Sequence, residues 1–295
     1  MIPTLFSVSY AGLWGQHRLD LLSFIRKAGG LGYRAVELMG KRPHLSVLDV
    51  NDAQLAEIRH AAAETGVEIA TIAAYTNFTM GRDTEIPSVE IQVAYVRSLA
   101  EIAAKLGARI VRIFTGYATE PEGYARDWEI SVGAVRQCAE AAARCGVILG
   151  VQNHHDVGVG VDSYVEFLDD VGHANCRAMF DPWAPALHGT DLKAAARRLA
   201  PRMAQTTLAD YVRLPRYAYL PGLVNYKRLD DMVRAVPLGE GFLDLEGFMA
   251  GLREGGFQGY VAYEMCSPLR GGGSEENLDR TARVSLESIN RWIGG

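Results

Sequence analysis

The sequence predicts an α/β protein of the closed (β/α)8 type, a TIM barrel, built as one domain over residues 1–295. Three observations carry this expectation. Eight short apolar runs alternate with helical patterns in a chain of 295 residues, the length such a barrel takes up. Those runs are almost continuously aliphatic, as parallel strands covered on both faces are. A recurrent joint, a helix closing on Gly directly before such a run, appears five times, at Leu31-Gly32, Thr65-Gly66, Leu106-Gly107, Cys145-Gly146 and Gly255-Gly256. An open doubly wound sheet is the rival, weakened because no G-x-G-x-x-G follows the first strand.

The elements follow in order. Strands are expected near 4–9, 34–38, 67–74, 109–114, 147–152, 176–181, 203–208 and 259–264. Between them, Asp20–Ala28 carries an apolar stripe of Leu21, Leu22, Phe24 and Ile25, and Asn51 is placed as an N-cap before Ala53–Glu64. Ser88 opens a long helix to Leu106; Trp128–Arg144, Ser163–Val171, Asp191–Leu199, Leu245–Arg253 and Ser274–Ile293 complete the set. Arg213–Arg234, with two prolines and three tyrosines, reads as a long loop after the seventh strand.

Composition excludes several classes. Net charge is −5, from 30 Lys+Arg against 35 Asp+Glu, so no global field attracts a phosphate backbone and nucleic acid is not expected as a partner. The longest apolar runs, such as Val67–Ala74, fall far short of the roughly 18–20 residues a membrane span needs. Met1-Ile2-Pro3-Thr4 enters a strand-like run without a basic leader, and the four cysteines form no C-x-x-C pair; reduced thiols in a cytoplasmic protein are expected.

In a barrel of this kind the active site lies at the C-terminal ends of the strands, which turns strand ends into candidates. They are Glu37, Tyr75 and Asn77, Arg112 and Thr115, the run Gln152-Asn153-His154-His155-Asp156, Asp181 with Trp183, then Gln205, Thr207 and Asp210, and finally Glu264. Asp181 and Glu264 stand out. A carboxylate closing a buried apolar strand must be paired, metal-bound or catalytic to offset its desolvation. Glu37 could instead be solvated, and Arg112 could pair with a helix. His154 and His155 are adjacent, so at most one is expected to face the centre of the site, and His154 is favoured. His44 is the one outlying histidine kept as a candidate.

Here a resemblance enters. The segment Pro237-Leu238-Gly239-Glu240-Gly241 through Gly256-Phe257-Gln258-Gly259-Tyr260 to Glu264 is similar to the G-E-G, helix, G-[YF]-x-G, strand, Glu arrangement of the xylose isomerase-like barrels. Val151-Gln152-Asn153-His154, Phe180-Asp181-Pro182 and Leu208-Ala209-Asp210 support it. That superfamily holds sugar isomerases, epimerases, inosose dehydratases and endonuclease IV. The resemblance implies a divalent metal held by a Glu, an Asp, a His and a Glu at four strand ends. Asp181 and Glu264 match, but Gln152 stands in the Glu position and Thr207 in the His position, with Gln205 as a possible substitute. An oxygen-only set at Gln152, Asp181, Glu264 and Thr207 would suit Mn²⁺ or Mg²⁺.

The resemblance also implies a sugar or keto-sugar isomerase or epimerase working by proton transfer next to a carbonyl. Gln152 cannot serve as an acid or base. Glu264 is then the expected base and His154 the second acid–base group. Glu37, Arg112, Asn153, His155, Trp183, Tyr211 and Arg213 are expected to bind substrate. A lyase or dehydratase, needing one base and one acid, is the alternative, and a non-catalytic sugar-binding barrel a further one. An endonuclease IV-like role conflicts with the missing multi-histidine cluster. A small sugar-like substrate and a homo-oligomer are the expected partners.

Overall fold

The computed structural model describes residues 1–81, 84–118 and 120–294. Strands β1 (Ile2–Phe6), β2 (Ala35–Met39), β3 (Glu68–Ala73), β4 (Ile110–Ile113), β5 (Ile148–Gln152), β6 (Cys176–Met179) and β7 (Gln205–Leu208) come first. A hairpin, β8 (Asp210–Leu220) and β9 (Asn225–Val236), precedes the last strand, β10 (Tyr260–Tyr263). Apart from the hairpin, neighbours in space run β6-β5-β4-β3-β2-β1-β10-β7, all parallel. A bridge between Ala178 and Met203 brings the two ends of that order together, so the sheet nearly closes into the expected eight-stranded barrel.

Helices cover the outside: α1 (Leu21–Leu31), α2 (Asp52–Thr65), α3 (Ser88–Leu106), α4 (Tyr124–Arg144), α5 (Val161–Val171), α6 (Trp183–Leu187), α7 (Leu192–Leu199), α8 (Leu245–Glu254) and α9 (Glu275–Gly294). Their starts are written in the chain. Asn51 makes a full capping box with Gln54, and Asp20, Asp191 and Asp244 each accept an N–H from the first turn. The barrel interior is filled from the bottom by Ala35, Ala70, Ile110, Met179 and Tyr260. Gly150 belongs to this packing, since a Cβ there would lie 2.2 Å from the Met179 sulfur. Among the described residues no helix is long and apolar enough to cross a membrane.

Two expected elements need correction. The first strand ends at Phe6, and Ser7–Tyr10 is a 3-10 turn. Ser7 Oγ is drawn into the structure, accepting the Met39 N–H at 2.8 Å and meeting His44 Nδ1 at 3.0 Å. Arg213–Arg234 is not a loop but most of the β8–β9 ribbon, whose ladder runs from Asp210–Val236 to Leu220–Asn225. Tyr219 and Tyr226 pair across it with rings 5.1 Å apart. Pro215, which has no N–H to donate, sits where the register shifts, between Leu214 and Arg216.

Asp210 is also placed differently from expectation. It does not face the barrel mouth. Its carboxylate accepts the N–H groups of Tyr211, Gly239 and Gly241 at 2.9 Å each and of Leu243 at 3.4 Å. The approach is so close that a Cβ at Gly241 would fall 1.9 Å from the Asp210 oxygen, and Gly239 has φ +90°. The G-E-G segment is therefore a loop wrapped on one carboxylate. Asp210→Ala should leave several inward N–H groups unpaired and cost about 2–4 kcal/mol in urea unfolding. Asp210→Asn, which keeps two acceptor lone pairs, should cost less.

Candidate active site

A cavity of about 510 Å³ opens at the C-terminal ends of the strands. Its polar lining includes Arg112, His154, His155, Asp181, Glu264 and Cys266; its aromatic lining includes Phe6, Tyr75, Phe114, Trp183 and Tyr211. A smaller cavity of about 270 Å³ lies between α1 and α2, beside His44. His44 is a packing histidine: it is bonded to Ser7 Oγ and Leu19 O and stacked on Phe24, and it does not reach the barrel mouth.

The mouth is organised around Arg112 on β4. The side chain is almost wholly buried, yet it reaches the cavity wall. Its Nη1 donates to Gln152 Oε1 at 2.7 Å, its Nη2 to Ala74 O at 3.4 Å, and its Nε lies 3.6 Å from Glu37 Oε1. The rings of Phe114, Tyr75 and Phe6 surround the guanidinium at 4.2, 5.1 and 5.2 Å. Glu37 on β2 is fully buried; burial pushes its carboxyl up to about 7 despite the opposing charge of Arg112. Gln205 donates to Glu37 and accepts from Thr71 at 2.6 Å. It is held deep in the barrel and is not the expected substitute metal ligand at the mouth.

Gln152 links this cation to Asp181. Its Nε2 donates to Asp181 Oδ2 at 2.9 Å while its Oε1 accepts from Arg112, so only one orientation of the amide satisfies both partners. Asp181 Oδ1 accepts the Trp183 N–H at 2.8 Å. Asn153, expected at the substrate, instead ties two strand ends together: its amide oxygen accepts the Asp181 N–H at 2.6 Å and its nitrogen donates to Asp181 O at 3.0 Å.

Glu264 follows β10. Burial, and secondarily the charge of Asp181, raise its carboxyl well above the ordinary range, and burial raises Asp181 too. Cys266 Sγ donates to Glu264 Oε1 at 3.4 Å and meets Tyr211 Oη at 2.8 Å. Trp183 and Tyr211 form one wall, with rings 4.2 Å apart. His154 is open to solvent and lies against Phe114, while His155 is buried between Phe114 and Tyr117. The surrounding walls and then Arg112 disfavour protonation of His154, and His155 is pushed down to about 3 by burial, His154 and Arg112. Arg213 departs from expectation: it lies over the Phe242 ring at 4.3 Å and lines a separate surface depression.

The four expected metal positions can be tested on this geometry. Among the described residues no group of three or more His, Cys, Asp or Glu side chains is arranged to hold a metal ion. Thr207 presents only a hydroxyl, buried and without a partner. Gln152 Oε1 already faces a guanidinium. A divalent ion on that oxygen would stand at most about 5 Å from Arg112, a repulsion of about 7 kcal/mol at an effective dielectric of 20. Asp181 and Glu264 would offset part of that, but with no imidazole and no third carboxylate the set does not fit a divalent metal.

Sequence reasoning missed Lys41, Trp14, Tyr117 and Cys266 in the cavity wall. Lys41, whose Nζ stands 3.7 Å over the Tyr75 ring, follows the end of β2 closely enough that the strand-end rule could have found it. Trp14 and Tyr117 sit on loops away from any strand end, and nothing local marks them.

Comparison with known proteins agrees with the fold. No curated protein matches the sequence. A D-psicose 3-epimerase from Clostridium cellulolyticum H10, solved with D-tagatose, superposes with a TM-score of 0.76 at 18% identity over 99% of both chains. The probable 3-DHS dehydratase AsbF of Bacillus anthracis gives 0.73 at 16% identity, over 98% of this chain and 99% of that one. A xylose isomerase-like protein of Mycobacterium smegmatis, in complex with magnesium, gives 0.67 at 17%, over 99% and 97%. The family described as xylose isomerase-like TIM barrel matches residues 25–290, and the chain belongs to that family.

Proposed function

We propose that the protein is a keto-sugar isomerase in which Glu264 moves a proton between two neighbouring carbons on one face of the substrate. The observation that carries this reading is the asymmetry of the mouth. Glu264 is a buried carboxylate on the cavity wall, whereas Gln152, three strands away around the barrel, is neutral and locked between Arg112 and Asp181. Inverting a carbon through an enediolate takes acid–base groups on both faces. Moving a proton between adjacent carbons on one face takes a single base.

In this reading the Glu264 carboxylate removes the proton next to the carbonyl. The C–H pair becomes a C=C bond and the carbonyl pair moves onto oxygen. His154, neutral and open to the cavity, carries the hydroxyl proton between the two oxygens, and Glu264 returns its proton to the neighbouring carbon. Trp183 and Tyr211 supply an apolar wall for the C–H face of a sugar, and His155 backs His154. The similarity to a psicose epimerase supports a sugar-like substrate in a barrel of this shape.

A lyase is the second reading. It too needs one base and one acid, so Gln152 does not count against it, and the dehydratase neighbour favours it. Label transfer separates the two. With a ketose deuterated at the carbon losing its proton, an isomerase should carry part of the label to the adjacent carbon and exchange the rest with water. A lyase should release all of it and form an unsaturated product. If no ketose in a broad panel loses its α-label, whether to water or to the adjacent carbon, both readings fail.

Three further outcomes are expected. Glu264→Gln should lower kcat about 10²–10⁴-fold with an unchanged thermal unfolding curve. Because burial and Asp181 raise the pKa of Glu264, the base form is lost early on acidification, and kcat/KM should fall as pH drops through a value well above 4.5, the ordinary Glu value. Asp181→Asn removes a charge that raises that pKa, so the acid limb should move to lower pH.

A further inference from the structure

We propose that Arg112 takes the place of the divalent ion in this barrel: its guanidinium is the cation that receives the substrate oxygen as it becomes an oxyanion. The proposal rests on the proton-transfer reading above and supplies the electrophile which that reading lacks. A proton on the carbon next to a carbonyl is removed slowly unless the negative charge arriving on oxygen meets a fixed positive group.

Four observations place that group. Arg112 reaches the wall of the same cavity as Glu264 and Asp181, and it is buried where water cannot screen its charge. It is held in one orientation by Gln152 at 2.7 Å and Glu37 at 3.6 Å, with three aromatic rings around it, so no reorganisation is needed when charge appears. Its fork has five N–H donors, more than its protein partners use. Finally, Tyr75 Oη and His155 Nδ1, buried side-chain atoms of the cavity lining, have no hydrogen-bond partner. Buried polar atoms left unpaired in one concavity point to a polar ligand that completes them.

The same contacts explain Gln152. A carboxylate at this position would pair with Arg112 and keep the site open to a competing cation. A neutral amide can accept from the guanidinium and donate to Asp181 in one rigid chain. Gln152 and Arg112 thus form a unit, and Thr207, with only a hydroxyl, leaves no imidazole to bring a metal back.

The step balances without a metal or a redox partner. Glu264 gains the proton, the C–H electron pair forms the new C=C bond, and the carbonyl pair moves onto the oxygen. That oxyanion accepts N–H bonds from Arg112 and gives its charge back when the proton returns.

Binding measurements test this without turnover, so their failure is distinct from failure of the isomerase reading. After chelator treatment the wild-type protein should show no saturable Mn²⁺ binding below about 1 mM by electron paramagnetic resonance. The Gln152→Glu/Thr207→His variant should gain a weak site, and adding Arg112→Met should tighten it by about tenfold or more. Oxalate, a planar stand-in for an enediolate, should bind the metal-free wild type in calorimetry. It should bind Arg112→Met/Glu37→Gln, a pair chosen to avoid an orphaned buried carboxylate, at least about tenfold more weakly. Arg112→Lys keeps the charge but loses the fork and should fall between. The proposal is overturned if wild-type protein binds one equivalent of Mn²⁺ at micromolar concentration and loses it in Asp181→Ala. It is equally overturned if oxalate binds folded Arg112 variants as tightly as wild type, or binds only when Mn²⁺ is added.

Discussion

Placing a guanidinium inside a barrel is costly unless every side of it is answered, and in this protein the answers reach around the mouth. Glu37 on β2, Ala74 after β3, Gln152 on β5 and rings from β1 and from the segments just after β3 and β4 all close on Arg112. The chain of contacts continues from Gln152 to Asp181 and from Asp181 to the Trp183 backbone. One cation thereby sets the orientation of an amide, a carboxylate and the start of a helix. It also biases the neighbouring acids: it pulls the carboxyls of Glu37, Asp181 and Glu264 toward ionisation, while burial pushes all three the other way and prevails.

That opposition gives the mouth its chemical character. Three buried carboxyl groups lie around one permanent charge, and burial raises the pKa of each. Carboxyls shifted upward by burial beside a cavity are a feature that proton-transfer sites share. The aromatic walls serve both ends. They keep the dielectric low around the charges and give the cavity flat apolar surfaces.

The support for this mouth lies in residues that never touch it. Asp210 gathers the Tyr211 N–H and three backbone N–H groups of the G-E-G segment, which leads into α8 and then to β10 and Glu264. Asn153 joins the ends of β5 and β6, fixing the spacing between Gln152 and Asp181. Both residues look like ligands in the sequence because they are polar and stand at strand ends. Their amide and carboxylate groups serve the backbone instead, where several inward N–H groups would otherwise go unsatisfied.

The sequence by itself determined the barrel. Its apolar runs, helix caps and terminal glycines are local signals, read over a few residues, and each governs the element that it sits on. It also marked Arg112, Asp181 and Glu264, because a charge closing an apolar run is anomalous whatever surrounds it. Only the tertiary structure decided what those charges meet. That Gln152 is clamped by Arg112, that Gln205 belongs to Glu37 and Thr71, that Arg213 turns away onto Phe242, and that Arg213–Arg234 forms a ribbon all depend on strands distant in sequence or on pairing across a turn. Hydrophobic period is a property of a segment. The partner of a buried polar group is a property of the closed barrel, set only when strands from opposite ends of the chain come within hydrogen-bond distance.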